Sequence, residues 1–555
     1  MMEAKKSHHK TPNSTPNSTP KTPKNSNMRN NKRKHQVVFH GLSSHSDMMD
    51  MMDDTTLEIW DSTKYNIPVH SGTVGVGGGG GNGGLNPKNH ERGGSFSCNS
   101  TEENNAVTWA QQQLYLAKLT LRNSNAFTLP KPAHELLRRK AASKLRSALL
   151  RGVRQANRND PKRAKNKPPP LAYERWAARD VLRRTTTELL LPSSGVVDPA
   201  LARDLSRHTM RGADAQALAT SLADEAKTAA DALKTNTENE EERKQERIYC
   251  TKCGAEMLAV ALGAPEAKPY FTVSDAHYKK LKMLYDDNEG SDDEQAFLRA
   301  LFCLLCRYDA LGGAGYQCAL PNKCFDAMRK AVCANGECFA SPLNCRTHAY
   351  CSAFPDTDGA FGSAGSFRNF YPEFGSFEAN PIFVPETMSM MATHCESLLE
   401  AAEQGKPGKY DDGNTSKAED KKQRHCGKPR SLSFCVVVPV WKECKFYGAL
   451  MRSAFRRGEP IVLSAEHHVY VDGAQHARPS SERERPSSYD TAIFFLQTKR
   501  ASDRWPCGEE QRVAIRQAFA GDILAKAKSS AGASSTVGEP QLQWSRVYKK
   551  KKVKR

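Results

Sequence analysis

The chain has 555 residues, with 81 Lys and Arg against 62 Asp and Glu, a formal charge of +19. Its apolar share of 38% falls below the roughly 45–50% of an average globular protein, so much of the chain is not core. No apolar run reaches the length of a membrane span, and the N-terminus MMEAKKSHHKTPNS has no apolar stretch, so a membrane or secreted protein is not expected. The basic excess points instead to nucleic acid. The 16 cysteines then read as thiols.

In chain order, residues 1–105 read as disordered. TPNSTPNSTPKTPK and the glycine run of 72–84 cannot bury enough apolar surface to offset their ordering entropy. From 106 the composition turns helical. In HELLRRKAASKLRSALLRGVRQANR, Leu136, Leu137, Leu145, Leu149 and Val153 recur at helical spacing. Between 122 and 167 there are 14 Lys/Arg and 2 Asp/Glu, a density that suggests phosphate contact as well as a solvated face. Two further helical stretches, around 172–191 and 214–234, make 106–300 a mainly α-helical, basic domain, the expected RNA- and cap-binding part.

After 330 short apolar runs alternate with a helix-length segment. ECFAS (337–341), GSFEAN (375–380), LSFCVVVPV (432–440), PIVLSA (460–465) and TAIFFLQ (491–497) read as strands, and 384–404 as a helix. Near-continuous apolar strands around a helix predict a mostly parallel sheet with helices on its faces, an α/β domain over 301–520. Residues 405–425 read as a disordered insertion, and 521–555 as a basic disordered tail ending in KKKKVKR.

In such a sheet ligands sit beyond the carboxyl ends of the strands. Asn380-Pro381-Ile382-Phe383 stands at one such end. An exocyclic amine on adenine is a poor nucleophile, because its lone pair is delocalised into the ring. The amide oxygen of Asn380 and the carbonyl of Pro381 can each accept one of its N–H bonds and so aim the lone pair at an electrophile. Phe383 would stack on the base. Asn-Pro is also an ordinary turn, so the tetrapeptide alone decides little.

Its surroundings decide more. ECFASPLNCRTHAYCSAFPDTDGAFGSAGSFRNFYPEFGSFEANPIF (337–383), LSFCVVVPVWKE (432–443), AEHHVY (465–470) and YDTAIFFLQ (489–497) closely resemble the cap-specific mRNA adenosine N6-methyltransferase family, also called the phosphorylated CTD-interacting factor family. The resemblance implies a Rossmann-like methyltransferase domain that uses S-adenosyl-L-methionine. The implied substrate is N6 of the 2′-O-methyladenosine next to the cap of mRNA. It makes Asn380, Pro381 and Phe383 the catalytic residues and places Ile382 with them in the cofactor site. Ser341, Pro342 and Asn344 are implied at the methionine end. Trp441, Lys442 and Glu443 are implied on the RNA side with Glu386, and Arg139 and Arg175 are candidates for the capped end. No metal is implied.

Three departures from the family pattern stand out. Ile382 replaces a second proline that would restrict Pro381. Pro385 stands where the family has a glutamate, with Glu386 next, and Lys442 replaces an arginine, losing its planar fork. Trp60 and Trp109 are too far apart for the family's N-terminal WW module, so RNA polymerase II C-terminal domain is a doubtful partner beside capped mRNA. These departures leave an alternative open: a catalytically weakened or inactive nuclear protein that binds capped RNA or associates with the polymerase. Lys32, Arg33 and Lys34, with the terminal lysine run, suggest the nucleus. Cys250/Cys253 and Cys303/Cys306 have zinc-like spacing, but the second pair lies in an apolar helix and reads as core. His467-His468 reads as structural.

Overall fold

A computed structural model describes residues 110–119, 128–169, 171–183, 188–238, 247–290, 292–312, 317–406, 428–465 and 467–520. The expectations for 1–105, 521–555 and most of 405–425 lie outside them. The described elements combine helices with a mixed six-stranded sheet. Its strands are β4 (Gly336–Ala340), β5 (Tyr350–Ser352), β6 (Gly375–Ala379), β7 (Leu432–Pro439), β8 (Ile461–Leu463) and β11 (Thr491–Gln497). Their order is β5-β4-β6-β7-β11-β8, while β9 (Val469–Val471) and β10 (Glu484–Pro486) form a separate antiparallel pair. β5, β4, β6 and β7 are mutually parallel, and β11 runs antiparallel to both β7 and β8.

Both faces of this sheet are covered, which is why its strands read as apolar runs rather than alternating ones. Phe434, Val436 and Val438 of β7 join Ala492, Phe494 and Leu496 of β11 in one core. Cys435, Val437, Ile493 and Phe495 point into the other, as the two-residue period of a strand dictates. The first core receives the helix Pro385–Glu403 through Met388, Met391, Cys395, Leu398 and Leu399. Pro385 opens that helix, where a missing N–H costs nothing and the fixed φ is already helical. The local helix start therefore accounts for a proline at this position.

Two parts of the helical reading are corrected. Residues 248–274 form a separate antiparallel sheet of β1 (Ile248–Lys252), β2 (Met257–Leu262) and β3 (Phe271–Ser274). The helical segment 110–119 sits in the large sheet's core through Ala110 and Leu114. Gln111 fastens it there, donating to the carbonyls of Asn335 (2.6 Å) and Ala349 (3.2 Å).

The basic helix α1 (Pro132–Ala156) spends much of its charge internally. Arg138 binds the Glu135 and Glu188 carboxylates. Arg146 binds Glu174 at 2.8 Å and the carbonyls of Ala310 and Leu311, closing the end of the helix Glu294–Leu311. That helix runs across residue 300, where the sequence suggested a boundary. Lys140, Lys144, Arg151, Arg154 and Arg158 remain exposed. Burial by itself would raise the Glu188 carboxyl, yet Arg138's charge and hydrogen bonds hold it down at about 2.

The loop after β5 turns its acids inward. Asp356 pairs with the fully buried Arg307 at 2.8 Å, and Asp358 accepts from the Tyr308 hydroxyl at 2.8 Å. Burial pushes the Asp358 carboxyl up from 3.8 to about 7. Its folded pKa thus exceeds its unfolded one, so the native state holds the extra proton between these values. This stabilising contribution is complete below about pH 4 and is lost as pH rises towards 7. Urea unfolding should show Asp358→Asn with a flatter loss of stability between those pH values than the parent chain. Equal slopes would remove Asp358 from the account.

Candidate functional site at the strand ends

The chain leaves β4 for β5 on one side and later returns to β6 on the other. Such a reversal, beyond the carboxyl ends of β4 and β6, is the place where α/β sheets take ligands. Three loops meet there, after β4, β6 and β7.

The loop after β4 is tied down from several directions. Asn344 Oδ1 accepts from the Ser341 backbone N–H (2.7 Å) and hydroxyl (3.0 Å), and the Cys345 N–H reaches the Ser341 carbonyl at 2.8 Å. The buried Glu337 carboxyl takes the N–H groups of Arg346 (2.7 Å) and Thr347 (2.9 Å), while buried Lys280 donates to the Cys345 carbonyl at 2.8 Å. Ser341 and Pro342 are buried in this turn. The side chain of Asn344 is thus committed to shaping the loop.

Asn380 is different. Its Nδ2 donates to the Cys318 carbonyl at 3.4 Å. Only the amide NH2 can donate to a carbonyl, so the contact fixes the orientation of the amide. Oδ1 is buried and meets no hydrogen-bond donor among the described residues. A buried acceptor of this kind has room for a donor, from an ordered water or from a ligand. Next along, the Val384 N–H turns back to the Ile382 carbonyl at 2.7 Å, a three-residue turn that sets the direction of Phe383. The Phe383 ring packs edge to face against Trp441 (6.4 Å) and Tyr470 (6.1 Å).

A similar turn follows β7, where the Trp441 N–H reaches the Pro439 carbonyl at 2.9 Å. Lys442, Glu443 and Glu386 are exposed nearby. Burial raises the Cys444 thiol, and the charges of Glu443 and Glu386 raise it further. Glu378 of β6 is buried in register with Glu337. Burial first, and Glu337 second, push its carboxyl well up.

Sequence reasoning missed Gln317. Its carbonyl accepts from Asn344 Nδ2 at 3.1 Å, while the adjoining Cys318 carbonyl takes Asn380. One short segment thus joins the two loops, and the Ala319–Val471 bridge holds it in place. Gln317 Nε2 donates to the Tyr308 carbonyl at 3.2 Å, leaving Oε1 as a second buried acceptor without a donor among the described residues. No motif marked this segment, because its importance lies in contacts from Gln317 to a residue 27 positions away and from Cys318 to one 62 positions away.

Arg139 and Arg175 each have an acidic partner of their own. Arg139 pairs with Asp309 at 2.5 Å and lies over the Phe271 ring, and Arg175 pairs with Asp204 at 3.2 Å. Cys303 and Cys306 are core, the Cys303 thiol donating to the Pro130 carbonyl at 3.1 Å. His468 is buried and bound through both ring nitrogens, to the Ser464 carbonyl (2.8 Å) and the Thr491 hydroxyl (2.9 Å). Among the described residues no helix is long and apolar enough to cross a membrane.

Comparison with known proteins agrees with the motif reading. Residues 280–473 match the family described as the phosphorylated CTD interacting factor 1 WW domain. In this chain those residues contain a single tryptophan, Trp441, and fold into helices and the parallel strands. The chain is 35% identical over 256 residues (44% of this chain, 32% of the relative) to the Homo sapiens mRNA (2'-O-methyladenosine-N(6)-)-methyltransferase. To the Mus musculus protein of the same name it is 37% identical over 242 residues, 42% of this chain and 30% of the relative. The match spans about a third of the length of these curated relatives. Residues 280–473 are thus similar to the phosphorylated CTD interacting factor 1 family, and the likeness to the two methyltransferases covers less than half of this chain.

Proposed function

We propose that the chain is a methyltransferase acting on N6 of the 2′-O-methyladenosine beside the cap of mRNA, with S-adenosyl-L-methionine as methyl donor. The observation that carries this reading is the buried Oδ1 of Asn380, without a donor among the described residues, at the reversal in the parallel part of the sheet. The strand order, with β11 reversed between β7 and β8, supports a Rossmann-like methyltransferase sheet. The relatives' names support the substrate.

When bound, S-adenosyl-L-methionine supplies an electrophilic methyl group on a sulfonium. The loop of Ser341, Pro342 and Asn344 would lie along its methionine end, with Gln317 Oε1 accepting from its ammonium. Asn380 Oδ1 and the Pro381 carbonyl accept the two amine hydrogens of the target adenine, pointing the nitrogen lone pair away from both and stabilising positive charge as it develops. Phe383 fixes the plane of the base, and Trp441, Lys442, Glu443 and Glu386 border the RNA. The exposed lysines and arginines of α1 provide the electrostatic attraction of the capped end. A nuclear location goes with this reading, supported by the two basic clusters of the sequence.

Nothing in the loop geometry favours an inactive protein. Pro385 is explained by the helix it opens. The Ile382 N–H makes no hydrogen bond among the described residues, and the Ile382 carbonyl is bound to Val384. A proline at 382 would therefore cost no hydrogen bond and would hold Pro381 extended. Ile382→Pro is expected to raise methyl transfer about two- to fivefold, the scale of the roughly 0.4–1 kcal/mol that such restriction contributes. Steady-state rates on capped RNA check it, and a large fall in rate would show that the loop needs isoleucine's freedom.

The test of the function is transfer from labelled S-adenosyl-L-methionine to a short RNA beginning with capped 2′-O-methyladenosine. Uncapped RNA of the same sequence runs beside it. Cap-dependent label on the first adenosine is expected; equal labelling of both would transfer the reading to another adenine.

A further inference from the structure

Four aromatic rings stand in one row across the strand ends. Tyr470 meets Phe383 at 6.1 Å, Phe383 meets Trp441 at 6.4 Å, and Trp441 meets Tyr489 at 5.6 Å. The row passes from the interior to solvent. Tyr470 is 6% exposed, Phe383 and Trp441 are half-buried, and Tyr489 is 50% exposed. The first three are accounted for by packing and by the adenine site. Tyr489 is not.

Its backbone is fixed on both sides. The Ser487 hydroxyl accepts from the Tyr489 N–H at 3.2 Å and donates to the Tyr489 carbonyl at 2.8 Å. The next residue, Asp490, receives the Ala465 N–H on its carboxylate at 2.7 Å. The Asp490 carbonyl takes the N–H of Val440 at 2.8 Å, the residue immediately before Trp441. The ring is therefore presented on a rigid support beside Trp441, at an angle of 85° to it, with exposed Lys442 next to the same tryptophan. A fixed, half-exposed ring loses little further freedom on binding, which favours a flat partner.

We propose that Tyr489 is a stacking platform for the base that follows the target adenosine in single-stranded RNA. This rests on the methyl-transfer reading, which places the target base at Asn380 and Phe383. A strand leaving that position along the row crosses Trp441 before it reaches Tyr489, and Lys442 stands beside that route as a cation for a phosphate. Stacking on an aromatic side chain is tolerant of sequence because every base has a π-face. The platform therefore holds the first transcribed nucleotides without reading them.

Kinetics on two substrates test it: a minimal capped 2′-O-methyladenosine with nothing after it, and a capped RNA of about ten nucleotides. Tyr489→Ala is expected to raise KM for the longer RNA about 5- to 150-fold, the scale of one lost stacking contact, with kcat unchanged and the minimal substrate unaffected. Tyr489→Phe should behave as the parent, since the ring and not the hydroxyl is used. Equal effects of Tyr489→Ala on both substrates, or none on the longer one, would overturn the platform. If the parent chain methylates neither substrate, the methyl-transfer reading fails by itself. Fluorescence anisotropy with the longer RNA then still decides: weaker binding by Tyr489→Ala supports stacking, and unchanged affinity refutes it.

Discussion

Asn380→Ala should lower methyl transfer by roughly 10²–10³-fold, the usual consequence of removing one preorganised hydrogen-bonding group from a site where charge develops. The amide oxygen that would take one hydrogen of the adenine amine is already buried and has no donor among the described residues. The parent site therefore needs little reorganisation to receive it, whereas alanine leaves nothing to orient the lone pair. The fold should hardly notice. Among the described residues the one side-chain hydrogen bond lost is the 3.4 Å contact to the Cys318 carbonyl, worth about 1 kcal/mol or less at that length. Asn380→Asp separates the two functions of the amide, because a carboxylate still accepts but cannot donate to Cys318. An intermediate rate is expected from it. Single-turnover transfer measured beside thermal unfolding is the decisive pair of experiments. An Asn380→Ala variant that keeps the parent rate would end the proposed role of this residue.

Glu135→Ala is expected to be the most damaging single change for stability, at about 3–5 kcal/mol. Glu135 and Arg307 are both fully buried. The carboxylate receives Arg307 Nε at 2.9 Å and Nη2 at 2.7 Å, and Arg307 reaches on to Asp356 at 2.8–2.9 Å. Arg138 binds the same carboxylate and continues to Glu188. Removing Glu135 leaves two arginines in the interior around a missing partner, and the desolvation of a charge is not recovered without its counterion. Arg307 depends strongly on this environment: burial alone would lower its pKa, yet Glu135 and Asp356 hold it well above the ordinary value. Replacing both Glu135 and Arg307 by leucine should recover part of the loss, because the buried guanidinium goes with its carboxylate, while Arg138 keeps Glu188 and Asp356 is partly exposed to water. Urea unfolding of the full chain measures both variants. A Glu135→Ala midpoint equal to the parent's would show that the network contributes nothing.

The network also couples stability to the site. Arg307 lies on the helix Glu294–Leu311, whose end leads to Gln317 and Cys318, the carbonyls that hold Asn344 and Asn380. A loosened helix would misplace both amides, so the Glu135 variant should lose activity at temperatures where it is still folded.

How much of this was legible beforehand follows from the range of the interactions. Each strand from β4 to β11 that carries a continuous apolar run was readable, because a strand buried on both faces needs apolar residues at every position, and β7 is buried along its whole length. The helix from Pro385 and the loop Asn380–Phe383 were readable for the same local reason: a proline start and a turn that the neighbouring residues dictate. β5, only Tyr350–Ser352, was too short to show a period. The hairpin of β1 and β2 carries polar residues such as Thr251 and Lys252 on a surface strand, and its pattern gave no warning.

The sequence by itself raised the expectation of where chemistry lies, since Asn380, Pro381 and Phe383 fall within one tetrapeptide and their residue types carry the argument. It also determined the excess of positive charge. Only the tertiary structure decided how that charge is used: Arg138, Arg139 and Arg146 close internal ion pairs, while their neighbours stay in solvent. It decided that residues 110–119 belong to the sheet's core, that β11 runs against its neighbours, and that Gln317 joins two loops. Each of these depends on partners dozens to hundreds of positions away. Local periodicity records only the environment of a residue's own face, and a hydrogen bond across such a distance leaves no pattern in the chain that makes it.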